Sequence, residues 1–399
     1  MKNTPMNTPT TAPKERSTYV HRRIDMEKAC IVPLEVSLRN TEGLSPELVE
    51  GCRQYHAFLN QFLSGLYDDP LRFGLPAGAY EAYLDGMKPH AKKRKEPARY
   101  DKFRSSAFNA GNTYQRFLYE FCRAARLDGE KLCLEGDAFH KVLHMFRGDK
   151  KQRPDDFLTG VPYPLRLQRL REAGLEIDSG EASAEMRCPG QPLMLKAMKA
   201  LADAGQKVKT FDWYGVQYCE FRQLLSPYRP DFEDVIRFLD EEAQQPLREI
   251  HRYLVEHKAR PSCDTYHKVD YKYHGVQAVQ IGLDEFNVLP RIYVRINGAY
   301  WWWPDGETLV NEQLLRRDAK LQDYAQRHVN YCTGCSSSHP HGGYVRILGR
   351  QKCLCGGIDF KVFQPGKAEV SEICQLIDIR MDLTDLIKAR EKAAKAKST

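Results

Sequence analysis

Four cysteines in two close pairs carry the sharpest chemical signal in the chain: Cys332-Thr-Gly-Cys335 and Cys353-Leu-Cys355-Gly-Gly. Thiolates set about one tight turn apart can each clasp one edge of a tetrahedral ion, and Zn²⁺ is the usual occupant. Gly334 and the pair Gly356-Gly357 permit the turns that such knuckles need. The Cys-x-Cys spacing is tighter than the second half of a typical zinc ribbon. His339, His341 and Cys374 therefore stand as alternative ligands for one of the four positions. Four protein ligands close an ion off from water, so the expected zinc is a structural staple and no catalytic residue is assigned.

A second set of residues points to polyanions. The segment 88–104 holds Lys92, Lys93, Arg94, Lys95 and Arg99 among further basic residues, against only Glu96 and Asp101. Smaller basic clusters lie at 147–153 and 388–397. Such runs attract phosphates, although most charge runs are simply solvated surface. Farther on, Arg291-Ile-Tyr-Val-Arg-Ile296, Asn297-Gly298 and Ala299-Tyr-Trp-Trp-Trp303 read as a β-hairpin on a two-residue turn. That pairing places Ile292, Val294, Ile296, Ala299, Trp301 and Trp303 on a core face. Tyr293, Arg295, Tyr300 and Trp302 share the other face, where they could stack on bases or simply stabilise the sheet.

The remaining candidates are weaker. His140 and His144 are one helical turn apart, but no Glu follows His140 as a metalloprotease would require. Asp264, His267, Asp270 and His274 crowd one segment and could build an acid/base site on a phosphate-bearing substrate, or line a polar loop. No phosphate-binding Gly-Lys-Ser/Thr loop, dinucleotide fingerprint or nucleophile elbow is present.

The elements that must position these residues follow from periodicity. Ser45-Pro46-Glu47 is a helix start, and Leu48, Cys52, Tyr55, Leu59, Phe62 and Leu66 form one apolar stripe behind it. Phe108 to Cys122 gives another helix, and Asp137 is placed as the cap of a third, which makes the first 150 residues all-helical in expectation. Leu165 to Arg171 reads as a helix stopped by Gly174, followed by two short strands and a helix from Pro192 to Ala204. This order occurs in winged-helix modules, where Arg166 and Arg169 would face a major groove. Residues 231–257 form a long helix capped by Asp231 that Pro246 kinks or divides, and 308–328 forms one helix over the hairpin.

Composition sets the frame. A chain of 399 residues exceeds one core, and 42% hydrophobic residues suit a globular protein. Net charge is +7, with a pI near 8.7, a mild bias below that of a dedicated nucleic-acid domain. The first 17 residues lack the apolar stretch of a secretory signal, and no apolar run is long enough to cross a bilayer. The twelve cysteines are thus expected reduced, in a cytoplasmic protein.

The expected architecture is α+β: a disordered leader over 1–25, a helical domain over 26–160, a helical domain with a winged-helix-like element over 161–259, an α+β domain with the zinc-ribbon-like element over 260–387, and a basic tail over 388–399. The expected function is that of a zinc-binding, non-enzymatic protein that contacts DNA or RNA and no membrane. A protein–protein scaffold and a hydrolase built on the Asp264–His274 cluster are the alternatives.

Overall fold

The structure is a computed structural model that describes residues 18–38, 42–76, 78, 110–147, 161, 163–180, 182–205, 219–226, 228–284, 291–300, 303, 305–329, 343–354 and 357–398. Helices and antiparallel sheets alternate in blocks, an α+β architecture. The chain divides into two compact units, Met1–Tyr228 and Arg229–Thr399, each with its own core.

The N-terminal unit begins with α1 (Tyr19–Cys30), the short α2 (Leu34–Ser37) and α3 (Pro46–Asp68), so the expected leader over 1–25 ends early: residues 19–25 are helical and bury Tyr19, Val20 and Ile24. Ser45 accepts a hydrogen bond from the Leu48 N–H at 3.3 Å, the cap expected from the sequence. The α3 stripe buries Cys52, Tyr55, Leu59, Phe62 and Leu66. A 3₁₀ turn (Pro70–Phe73) follows, then α4 (Asn112–Ala124), which buries Tyr114, Phe117, Leu118, Phe121 and Cys122.

The first 150 residues are not all-helical. Strands β1 (Arg126–Asp128) and β2 (Lys131–Glu135) form a hairpin around Gly129, whose φ of 61° needs a residue without a Cβ. Leu132 and Leu134 alternate inward between half-exposed neighbours, a strand period inside an otherwise helical stretch. Helix α5 (Gly136–Arg147) starts one residue before Asp137, which sits in its first turn and is not its cap.

Then come α6 (Tyr163–Glu172), β3 (Glu176–Ser179), β4 (Ser183–Arg187) and α7 (Pro192–Gly205), as periodicity predicted. The sheet order is β1-β2-β4-β3. The β2–β4 ladder joins residues from both sides of the expected boundary at 160/161.

In the C-terminal unit the predicted helix over 231–257 is divided, but ahead of Pro246. Asp231 caps α8 (Phe232–Ile236) with a capping box, and Asp240 caps α9 (Glu241–Glu256), which carries Pro246 inside it. Two good caps nine residues apart decide the break. The strands β5 (Arg260–Thr265), β6 (Lys268–Tyr273), β7 (Val276–Asp284), β8 (Arg291–Tyr300) and β11 (Gly357–Phe363) form one antiparallel sheet in the order β11-β8-β7-β6-β5. A separate pair, β9 (Gly343–Ile347) and β10 (Arg350–Leu354), makes a second small sheet.

The Asn297-Gly298 hairpin is absent. Strand β8 runs straight through both residues and pairs with β7 on one side and β11 on the other. Neither residue has the positive φ that a type I′ turn needs. A bulge opposite Ile358/Asp359 absorbs Gly298 instead. A Cβ there would lie 3.1 Å from the Phe360 ring and 3.2 Å from the Ile358 carbonyl oxygen, so the local turn signal became a site of close packing. The predicted helix over 308–328 is likewise two helices, α10 (Gly306–Leu315) and α11 (Ala319–His328), because Asp318 caps the second through the Leu321 N–H at 2.8 Å. The chain ends in α12 (Val370–Ser398), so residues 388–398 are helical and not a separate tail. Among the described residues no helix is long and apolar enough to cross a membrane.

Candidate nucleic-acid interface

The five-stranded sheet has two faces of opposite character, and register creates both. Two cross-strand rows are apolar: Tyr271–Val279–Ile296–Phe360 and Val269–Ile281–Val294–Val362. All eight side chains are buried. Helices α9 and α12 lie against the sheet's strands and each other, contributing Leu247, Ile250, Leu254, Ile373, Leu376 and Ile377 to the core. His251 of α9 stacks on Phe232 at 4.1 Å and shares a 2.8 Å hydrogen bond with the Tyr271 hydroxyl. Burial holds the imidazole below its usual pKa and the phenol above its own, so both stay neutral inside.

The intervening rows carry the other face. One is Ser262–Asp270–Gln280–Arg295–Lys361; the next is Lys268–Gly282–Tyr293–Phe363. Because side chains alternate with a period of two, every residue in these rows projects away from the apolar core. Their side chains are half-buried to exposed, and they are knitted together. Tyr293 donates its hydroxyl hydrogen to Gln280, and the amides of Gln277 and Gln280 each donate to Asp270 at 2.6 Å. Gly282 makes room for Tyr293, since a Cβ there would lie 3.1 Å from the Tyr293 hydroxyl oxygen.

Cations crowd the two aromatic rings. Lys361 Nζ lies 4.2 Å from the Tyr293 ring centre and 4.7 Å from that of Phe363, and the Arg291 guanidinium is 4.3 Å from Phe363. Arg295 is ion-paired with Asp359, whose side chain is only 7% exposed against 45% for the arginine. With Arg260, Lys268 and Lys272 on the same face, the described side chains carry a clear positive excess over Asp270 and Asp359. Chemically, the face offers fixed rings, long cationic arms able to swing, and amides already held in place.

The sequence-predicted residues fare unevenly. Arg295 is on this face. Tyr300 has its backbone in β8 opposite Gly357, and its side chain lies outside the described residues, as does all of Trp302. Lys92, Lys93, Arg94, Lys95 and Arg99 also lie outside them. Arg166 is 8% exposed, with the Tyr114 phenol among its electrostatic neighbours, and burial lowers its pKa. It faces inward instead of toward a groove. Arg169, with a side chain 12% exposed, is ion-paired with Glu172 one turn along α6. Lys268, Gln280, Lys361 and Phe363 were missed because only strand register brings them beside Tyr293, and Arg291, two residues before Tyr293 on β8, was passed over although the strand period alone puts it there.

Cys332, Cys335 and Cys355 lie outside the described residues, as do His339 and His341. The Cys353 backbone is in β10 opposite Tyr344, with its side chain undescribed. Among the described residues no group of three or more His, Cys, Asp or Glu could hold a metal. His140 is exposed, and Cys374, half-buried in α12, has its thiol pushed up to about 12 by burial.

Of the Asp264–His274 cluster, the Asp264 side chain lies outside the described residues, and the described members do not gather in one place. His267 and His274 occupy the turns at opposite ends of β6, roughly 20 Å apart for a strand of that length. His267 is buried, and His274 pairs with Asp385 of α12 at 3.1 Å. Asp270 is held by two glutamine amides, as above. The sequence matches no known protein family, no curated protein and no solved structure.

Proposed function

We propose that this chain is a non-enzymatic, single-strand nucleic-acid-binding protein whose contact surface is the polar face of the C-terminal sheet. The observation that carries the reading is the pair of adjacent rows Lys268–Gly282–Tyr293–Phe363 and Asp270–Gln280–Arg295–Lys361. Rings flanked by lysine and arginine suit bases stacked between phosphates, and every base has a flat face to offer. Lys361 and Arg291, now over the rings, can swing to phosphate oxygens as bases take their places. Gln280 and Gln277 supply amide groups for base edges.

The N-terminal unit supports the same class of function more loosely. From α4 to β4 its order is helix, two strands, two helices and two strands, which resembles winged-helix modules apart from the additional edge strand β1 in the sheet β1-β2-β4-β3. Zn²⁺ on Cys332, Cys335, Cys353 and Cys355 is retained in this proposal as a structural ion.

The test is fluorescence anisotropy of labelled oligo(U) and oligo(dT) with the full chain at about 50 and about 200 mM salt. Binding should weaken with salt. Tyr293→Ala should cost about 1–3 kcal/mol of affinity at both salts. Lys361→Ala should reduce the salt slope by about 0.7. Absence of any binding at the lower salt ends the proposal. Native mass spectrometry with and without chelator reads the zinc separately, with one ion per chain expected.

A further inference from the structure

A second site, independent of the sheet, lies in the N-terminal unit. A cavity of about 190 Å³ opens between α3, the 3₁₀ turn and α6. Its apolar wall is aromatic: Phe58 and Phe62 stack at 6.0 Å, and Phe73 meets Phe62 edge-on at 5.5 Å. Its polar side carries Arg72, Arg169 and Glu172.

Two features of this cavity lack a purely structural explanation. Both guanidiniums converge on the single Glu172 carboxylate: Arg72 donates through Nε at 3.1 Å and through Nη2, and Arg169 donates through Nη1. The cavity thus keeps a net positive charge, and the buried Nε of Arg169 has no acceptor among the described residues. The second feature is Gly65, which lines the cavity from inside the long helix α3. A helix-interior glycine costs about 1 kcal/mol relative to alanine, and Gly65 has no positive φ. No close helix contact requires it either, since a Cβ there would meet nothing within 4 Å. Its missing side chain leaves the space open.

We propose that this cavity binds a small aromatic carboxylate of one ring, the ring against Phe58, Phe62 and Phe73 and the carboxylate beside Arg72 and Arg169, supplying the acceptor that the Arg169 Nε lacks. The volume suits such a ligand, since an apolar cavity of about 150 Å³ takes up benzene. Two arginines offer a carboxylate charge-assisted hydrogen bonds at fixed geometry. Glu172 is then the internal competitor that holds the guanidiniums in place while the site is empty.

The experiment is calorimetric titration of the full chain with benzoate, benzyl alcohol and acetate, which carry ring and charge together, ring alone and charge alone. Benzoate should bind at least tenfold tighter than either half-ligand. Gly65→Met should fill the cavity, leave the circular dichroism and thermal midpoint at or above those of the unmodified chain, and weaken benzoate at least tenfold. Glu172→Gln should tighten benzoate by removing the competing charge. The proposal is overturned if benzoate does not bind, if acetate binds as well as benzoate, or if the folded Gly65→Met chain binds benzoate unchanged.

Discussion

Glu27 shows how one residue can set the pH response of a domain. It lies in α1, is 1% exposed, and its Oε2 accepts the backbone N–H groups of Gly111 at 2.6 Å and Asn112 at 3.1 Å, at the start of α4. Burial raises its pKa to about 7, opposed by Arg23 and by those two amides. The folded-state value lies above the unfolded one, so the stabilisation is complete below about pH 4.5 and is lost as pH rises toward 7. The swing is at most about 3 kcal/mol. Glu27→Gln keeps an acceptor for the amides and removes the titration. Urea unfolding between pH of about 5 and about 8 should be flatter in the variant, and the variant should be the more stable chain at the upper end. A parallel pH profile in both proteins would show that Glu27 does not titrate in this range. None of this was legible in the sequence, because α1 and Gly111 are 84 residues apart from donor to acceptor. Arg166 misled for the same reason: a basic residue on an amphipathic helix reads as surface until its neighbours are known.

At the scale of elements, caps and periods were readable and competition between them was not. Ser45 and Asp231 start helices where their residue types indicate, and the α6–β3–β4–α7 segment follows its pattern. Asp240 and Asp318 also start helices, dividing two stretches whose apolar stripes run on unbroken. Strand β8 is the clearest failure of local reasoning. Asn-Gly favours a turn, but two flanking strands offer hydrogen bonds along the whole length of β8, and tertiary pairing outweighs the turn preference. Gly298→Val distinguishes the two arrangements. In a hairpin the change would spoil the turn and splay the strand ends. In the bulge it drives a side chain into Phe360 and Ile358 and should destabilise the C-terminal unit by about 1–3 kcal/mol, read as a lower urea midpoint. The proposed interface also lives at this scale. Tyr293 and Arg295 were visible as one strand face, whereas Lys268, Gln280 and Lys361 join them only through register.

For the whole molecule, length predicted several cores, and contacts divide the chain into Met1–Tyr228 and Arg229–Thr399. Composition placed a boundary near 259/260, where strands begin. The division lies earlier because α8 and α9 pack against β5 and β6. Limited proteolysis should therefore cut near residue 228 and leave a C-terminal fragment that starts before α8. A dominant cut near 259 would instead show that α8 and α9 separate readily from the sheet. The cysteine pairs remain the part of the molecule for which chemistry was read from spacing alone.

The last turns of α12 bear on ionic strength. Ile387 is the final buried residue, and beyond it Lys388, Arg390, Lys392 and Lys395 ride on a helix surrounded by water. Lys388 and Lys392 are one turn apart and repel, with Glu391 as a counter-charge at 3.2 Å from Lys388. This projecting spiral is consequently a gauge of its surroundings: it should unwind in dilute buffer and tighten when anions gather along it.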